Sequence, residues 1–173
     1  MKKVLFVLCC WTIGITAFAQ VADESEYLSD LRQELQKKHP KNSLINLVFR
    51  GHSVPSGYFD TPEVRSLQAF PHLVFQEVKE KYLYARVNSI VAALGDGNAE
   101  DGAKYFKEEV LMYKPDVVFI DYALNDRWLG LERARKGWES MIEEALAANV
   151  KVMLMTPTPD TSEVILNENV RLA

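Results

Sequence analysis

Apolar residues occur along this chain in short unbroken runs, separated by longer stretches of mixed polarity. Four runs have the length of a strand: residues 44–49 (LINLVF), 84–92 (YARVNSIVA), 116–123 (DVVFIDYA) and 150–156 (VKVMLMT). Runs without polar alternation are typical of strands that are covered on both faces of a sheet. The intervening stretches predict helices within residues 62–80, 100–113 and 129–148. Strands that alternate with helices indicate a parallel sheet in a three-layer α/β/α domain.

Proline and charged residues mark where these elements begin and end. Pro71 lies inside the first crossover and is expected to kink or split its helix, whereas Pro115 marks the stop before the third strand. Residues 22–38 run from acidic to basic, which favours an exposed helix with a solvated face. Trp138 is expected in the core, and Trp128 is a candidate for a pocket wall.

The first twenty residues, MKKVLFVLCCWTIGITAFAQ, have the pattern of a secretory signal, with a basic start, an apolar stretch and a small-x-small cleavage site. An uncleaved anchor is the alternative, but the apolar run is shorter than the roughly 20 residues of a membrane span. We therefore expect a signal peptide at 1–19, a helical segment at 20–43 and the main domain at 44–173. The protein is expected to be secreted or periplasmic, without stable membrane insertion after signal removal.

The cysteine positions, the net charge and the scattered histidines argue against several classes of site and partner. Both cysteines, Cys9 and Cys10, lie in the predicted signal, so no disulfide and no cysteine-ligated metal is expected afterwards. Removal of Lys2 and Lys3 would move the formal charge from −4 to −6, and no basic patch remains to contact a phosphate backbone. The three histidines are scattered. We expect no metal, no cofactor and no nucleic acid partner, and a small or neutral substrate.

Polar residues follow each of the four predicted strands, where ligands bind to open parallel sheets. The groups are Gly51-His52-Ser53, Gly95-Asp96-Gly97-Asn98, Asn125-Asp126 and Thr156-Pro157-Thr158-Pro159-Asp160. This set fits acyl transfer, because a serine hydroxyl can attack a carbonyl carbon while backbone N–H groups and a carboxamide stabilise the developing oxyanion. The alternatives are a serine that merely ends a strand and an Asn-Asp turn or helix cap. Asp126 is expected to act as a cap or a supporting partner.

Together these groups resemble the SGNH hydrolases, also called GDSL esterases and lipases, over nearly all of the chain from Leu44 to Asp160. The resemblance implies a flavodoxin-like sheet and Ser53 as the nucleophile. It also implies an oxyanion hole from the Ser53 backbone N–H, a backbone N–H of the glycine turn and the Asn125 side chain. Gly95 is our choice for the turn donor, with Asp96 and Gly97 left open.

The chain departs from the family pattern at four places. His52 stands where the family has Asp, Ala123 stands where it has Gly, and Asp96 stands where Gly is usual. No Asp-x-x-His motif follows Asp160, so the resemblance implies that the last strand and the catalytic base are missing and that the 173-residue chain is nearly inactive. His72, the other histidine of the domain, is expected to be a packed or surface residue.

Two functions remain open at this point. The first is a secreted serine esterase that acts on a small acyl ester, for example acetyl on a carbohydrate. The second is a noncatalytic glycan-binding or scaffold protein on the same fold, which the missing base and the changes at His52 and Ala123 would favour. A flavin-binding flavodoxin-like protein is the third and least favoured alternative, because the stretch FRGHSVPSG is a poor match to a phosphate-binding loop.

Overall fold

A parallel sheet with helices on both faces forms the centre of the protein in the computed structural model, which describes residues 22–23 and 25–156. The predicted signal peptide and residues 157–173 lie outside the described residues. In chain order the elements are α1 (Ser29–Gln36), β1 (Leu44–Gly51), α2 (Ser53–Ser56), β2 (Tyr58–Asp60), β3 (Glu63–Val64), α3 (Phe70–Lys81), β4 (Arg86–Ala93), α4 (Ala99–Lys104), α5 (Phe106–Glu109), β5 (Val117–Asp121), α6 (Ala123–Asp126), α7 (Leu131–Ala147) and β6 (Lys151–Leu154). Short 3-10 helices cover Ser66–Gln68 and Leu111–Tyr113.

The four long strands are arranged in the order β4-β1-β5-β6, and every neighbouring pair is parallel. Strand β1 is central, and its last residue, Gly51, is level with Ala93 of β4 and Asp121 of β5. Three strands therefore end at one edge of the sheet. This confirms the predicted α/β/α class and brings the polar groups that follow these strands close together.

Side chains of the sheet alternate between two apolar clusters, one on each face. Val48, Val118 and Ile120 pack with Phe106 and Met141 beneath the helices that follow β4 and β5. The opposite cluster contains Leu35, Ile45, Leu47, Phe49, Ala85 and Val117. Because both faces are covered, the strands read as unbroken apolar runs instead of the alternating pattern of a half-exposed sheet.

Two predicted helices differ from the structure. Pro71 does not kink or split a helix but lies in the first turn of α3, where the missing N–H costs no helical hydrogen bond. The helix predicted over 100–113 is divided into α4, α5 and a 3-10 turn. The break at Tyr105 lets Phe106 and Val110 enter the core, where both are fully buried.

The N-terminal helical segment is less exposed than its charge pattern indicates. Leu35 of α1 is buried in the apolar cluster on one face of the sheet. The Tyr27 hydroxyl accepts a hydrogen bond from the backbone N–H of Val152 (2.7 Å) and lies 3.2 Å from the Val152 carbonyl oxygen, to which it donates. Among the described residues β6 is an edge strand, and Tyr27 bonds to its outer backbone groups.

Candidate active site

The end of β1 approaches β5 more closely than a side chain would allow. A Cβ on Gly51 would lie 2.6 Å from the Asp121 carbonyl oxygen and 2.8 Å from Cγ of Pro55. The backbone N–H of His52 donates to that same Asp121 oxygen at 3.1 Å. Glycine at this position therefore lets the chain leave the sheet close to β5 and begin α2 at once.

Ser53 is the first residue of α2 and is half-buried. Within the described part of the chain, its hydroxyl has no hydrogen-bond partner. Its backbone N–H is in the first turn of a helix, where no intrahelical acceptor exists. The nucleophile predicted from sequence is thus accessible, with an unpaired hydroxyl and an unpaired donor on the same residue.

His52 precedes the serine and caps α2. Its Nδ1 accepts a hydrogen bond from the Val54 backbone N–H at 3.3 Å, and its Nε2 lies 3.5 Å from Oδ1 of Asp121. A neutral imidazole that accepts at Nδ1 carries its proton on Nε2, which is the nitrogen that faces the carboxylate. Both ring nitrogens therefore have partners other than the Ser53 hydroxyl, although the ring belongs to the neighbouring residue.

The glycine turn after β4 is fastened to β1. The Leu94 backbone N–H donates to the Gly51 carbonyl at 2.8 Å, and the Gly97 N–H donates to Leu94 at 3.2 Å. The N–H groups of Gly95 and Asp96 have no acceptor among residues 22–23 and 25–156. These two donors, and not that of Gly97, are free for a ligand, so Gly95 stays our predicted oxyanion donor with Asp96 beside it.

Asn125 joins the end of β5 to this turn. It lies in α6, and its side-chain Nδ2 donates to the Gly97 carbonyl oxygen at 2.9 Å. A carboxamide nitrogen carries two hydrogens, so one hydrogen holds the turn and the second is available to a ligand. The side chain is half-buried, which limits competition from water without closing the site.

Asp126 accepts two hydrogen bonds that hold the elements around the site together. Its Oδ1 accepts from the Ala99 backbone N–H at 2.8 Å, and its Oδ2 accepts from Nε1 of Trp138 at 2.6 Å. Burial raises the pKa of the Asp126 carboxyl, while the bonds from Ala99 and Trp138 oppose that rise. Asp126 thus caps the start of α4, directly after the glycine turn, and links it to α7.

Arg50 was missed by sequence reasoning, which ended the first strand at residue 49. The strand continues to Gly51, so Arg50 lies on the same face as Val48 and is 1% exposed. The period of two along a strand was the signal that could have found it, because residues 48 and 50 share a face.

No family model and no curated protein matches this chain, but solved structures do. It is similar to a two-domain esterase active on acetylated mannans, with 16% identity and a TM-score of 0.64 over 84% of this chain and 38% of that one. A lipase/acylhydrolase from Enterococcus faecalis is 28% identical, with a TM-score of 0.62 over 75% of this chain and 69% of that one. A protein assigned to the G-D-S-L lipolytic family, from Desulfitobacterium hafniense, is 23% identical, with a TM-score of 0.61 over 73% and 67%.

The chain has the SGNH hydrolase fold. It spans less than two fifths of the length of the mannan esterase. At two positions that differ from the SGNH pattern, His52 caps α2 and Ala123 is buried at the start of α6.

No helix of the described residues is both long and apolar enough to cross a membrane. In the same part of the chain no group of His, Cys, Asp and Glu side chains could hold a metal ion.

The remaining candidates lie apart from this constellation. His72 lines an open groove of about 750 Å³ beside β4, together with Ser56 and Phe75. No hydrogen bond joins it to Ser53 in the residues that the structure describes. Trp128 is 79% exposed with Arg127 against its ring, so it projects into solvent, whereas Trp138 packs against the core as predicted.

Proposed function

We propose that this protein is a serine ester hydrolase of the SGNH type, with Ser53 as its nucleophile. One observation carries the proposal: the Ser53 hydroxyl, the free N–H groups of Gly95 and Asp96 and the spare Asn125 hydrogen all belong to strand ends at one edge of the sheet. The similar solved structures include esterases and acylhydrolases. The roles of the individual residues remain part of the proposal.

The proposed reaction follows from these groups. The Ser53 Oγ attacks the carbonyl carbon of the ester, and its proton passes to a base as the C–O bond forms. Negative charge on the former carbonyl oxygen is stabilised by the Ser53 and Gly95 N–H groups and the second hydrogen on Asn125 Nδ2. Collapse of the tetrahedral intermediate releases the alcohol and leaves an acyl-serine ester, which water hydrolyses to the acid and free Ser53.

The reaction needs a base for Ser53, and no histidine of the chain bonds to the Ser53 hydroxyl. The sequence contains three histidines, all among the described residues, and none donates to or accepts from the Ser53 hydroxyl. Loss of one triad member lowers turnover by several powers of ten and leaves what the oxyanion hole and binding provide. We therefore propose that the 173-residue chain turns over esters very slowly unless a base is supplied.

We further propose a neutral carbohydrate acetyl ester as the substrate and a location outside the cytoplasm. The sequence has an excess of acidic residues, which disfavours anionic substrates, and its first residues have the pattern of a secretory signal. The mannan esterase to which it is similar acts on acetylated mannans.

Chemical rescue tests the nucleophile. We would measure hydrolysis of 4-nitrophenyl acetate by the chain and by Ser53→Ala at increasing imidazole concentration, since imidazole can replace an absent base in solution. The expected result is a rate that rises with imidazole in the parent protein beyond the rise in Ser53→Ala. Equal rates for the two proteins at every imidazole concentration would refute Ser53 as the nucleophile.

A noncatalytic glycan-binding protein is the second candidate, and it is favoured because no histidine among the described residues bonds to the Ser53 hydroxyl. In that case an acetylated mannan or xylan oligosaccharide should bind, as measured by calorimetry, with no acetate released over days. Ser53→Ala should then bind as tightly as the parent protein. Ser53-dependent release of acetate under imidazole rescue would exclude this candidate.

A further inference from the structure

Arg50 is a charged side chain in the apolar interior, on the face of the sheet opposite α3. Its Nη1 donates to the Ala92 carbonyl oxygen at 2.9 Å, and its Nη2 donates to the Gly102 carbonyl oxygen at 3.2 Å. Nη1 also lies 2.7 Å from Oε2 of Glu109, whose side chain is 40% exposed. A buried charge is costly unless it is paired and hydrogen-bonded, so these contacts explain how the guanidinium is tolerated.

The two carbonyl groups flank the glycine turn. Ala92 lies near the end of β4, two residues before Leu94, and Gly102 lies in α4, which begins directly after the turn at Ala99. Arg50 is also the register partner of Ala92 and lies three residues before Ser53 along the chain. One planar side chain on β1 thus joins both sides of the turn to the strand that presents the serine.

The α4 contact is held in place by close packing. A Cβ on Gly102 would lie 2.4 Å from the Tyr122 ring, so α4 approaches the end of β5 as closely as a glycine permits. Packing in the core therefore fixes the position of the Gly102 carbonyl, and the hydrogen bond from Arg50 holds β1 to that carbonyl. An apolar residue at position 50 would leave the buried Gly102 carbonyl and the partly buried Ala92 carbonyl without this donor.

We propose that Arg50 is a positioning residue, which fixes the 94–98 turn so that its free N–H groups face the Ser53 hydroxyl. This inference rests on the proposed function. A guanidinium suits the task because its donors form a rigid planar fork, whereas the ammonium of lysine is a single point on a flexible stem. Displacing catalytic groups by about 1 Å can cost about a hundredfold in rate.

The test compares Arg50→Lys with Arg135→Lys, which makes the same change in an exposed ion pair with Glu139 on α7. Under imidazole rescue, we expect Arg50→Lys to lower the Ser53-dependent kcat for 4-nitrophenyl acetate about tenfold to a hundredfold with KM changed by less than about threefold. Arg135→Lys should leave both constants unchanged. A KM increase at constant kcat, or unchanged kinetics in Arg50→Lys, would overturn the proposal.

A second measurement does not depend on turnover. Amide hydrogen exchange should accelerate in Arg50→Lys at Leu94, Gly97 and Asn98, whose N–H groups are hydrogen-bonded, while the amides of β5 keep their protection. Equal acceleration in both segments would mean that Arg50 contributes only to global stability and would overturn the positioning role. If the parent protein shows no Ser53-dependent turnover, the proposed function fails, and hydrogen exchange still decides whether Arg50 fixes the turn.

Discussion

Asp126 is expected to stabilise the site through a charged acceptor that serves two donors. The carboxylate is 1% exposed and accepts from Ala99 at 2.8 Å and from Trp138 at 2.6 Å. A hydrogen bond to a charged group contributes about 1.5–3 kcal/mol. In Asp126→Asn the amide oxygen can still accept from Ala99, but its nitrogen would face the Trp138 donor. Because burial of the charged carboxylate offsets part of this contribution in the parent protein, we expect the variant to lose about 1–2 kcal/mol in the free energy of unfolding at pH 7.

A double-mutant cycle with Trp138→Phe tests the cause. Phenylalanine keeps much of the aromatic packing and removes the Nε1 donor, so the amide nitrogen introduced at position 126 would no longer oppose another donor. The cost of Asp126→Asn should therefore be smaller in the Trp138→Phe background, by about 1–2 kcal/mol of coupling. Urea denaturation of the four proteins measures it. Costs that add within about 0.5 kcal/mol would show that the Asp126–Trp138 bond contributes little.

The contribution of Asp126 to the free energy of unfolding should depend on pH, and the direction of this dependence follows from its pKa. Burial raises the pKa of Asp126 in the folded protein, so the folded state holds its proton to a higher pH than the unfolded state. The resulting stabilisation is complete below the unfolded pKa of about 4 and is lost as pH rises through the folded value. The stability of the parent protein relative to Asp126→Asn should therefore increase as the pH falls from 7 towards 4. A difference that is constant over this range would contradict the assigned environment.

Three further predictions concern other parts of the fold. Gly51→Ala should destabilise the protein by about 1–3 kcal/mol in urea denaturation, because its Cβ would meet the Asp121 carbonyl. The matched change Gly95→Ala, where nothing lies within 4 Å of the added Cβ, should cost less than about 0.5 kcal/mol. Tyr27→Phe should cost about 1 kcal/mol and increase self-association in sedimentation velocity, since it removes the side-chain partner of β6, an edge strand among the described residues. An unchanged sedimentation profile with unchanged stability would count against it. His72→Ala should leave the Ser53-dependent rate without imidazole unchanged, and a loss of that rate that imidazole restores would identify His72 as a base.

The sheet and the positions of its polar ends could be predicted because they depend on local signals. Apolar runs such as residues 44–49 are long enough to identify buried strands, and the parallel order places the residues after each run at one edge. The placement of Ser53, Asn125 and the glycine turn at this edge was predicted in this way. Which N–H groups of the turn are free was not readable from sequence, because it depends on the bonds that Gly97 and Asn98 make.

Contacts between distant residues account for what could not be predicted. The expected helix over 100–113 is broken where Phe106 and Val110 turn into a core formed largely by β5 and α7. The predicted first strand stopped before Arg50, whose acceptors lie 42 and 52 residues further along the chain. Leu35 has the local surroundings of an exposed helix and is buried only because the sheet of residues 44–154 lies against it.

The role of His52 limits how this fold can carry out ester hydrolysis. To serve as a base for Ser53, its ring would have to release the Val54 N–H, and a lost N-cap costs about 1 kcal/mol. It would also have to leave Asp121, although the side chain is 1% exposed. The histidine that stands next to the serine in sequence is thus held as part of the framework. None of the three histidines, where the structure places them, bonds to the Ser53 hydroxyl. The choice between an esterase and a glycan-binding protein therefore depends on whether another group accepts the Ser53 proton.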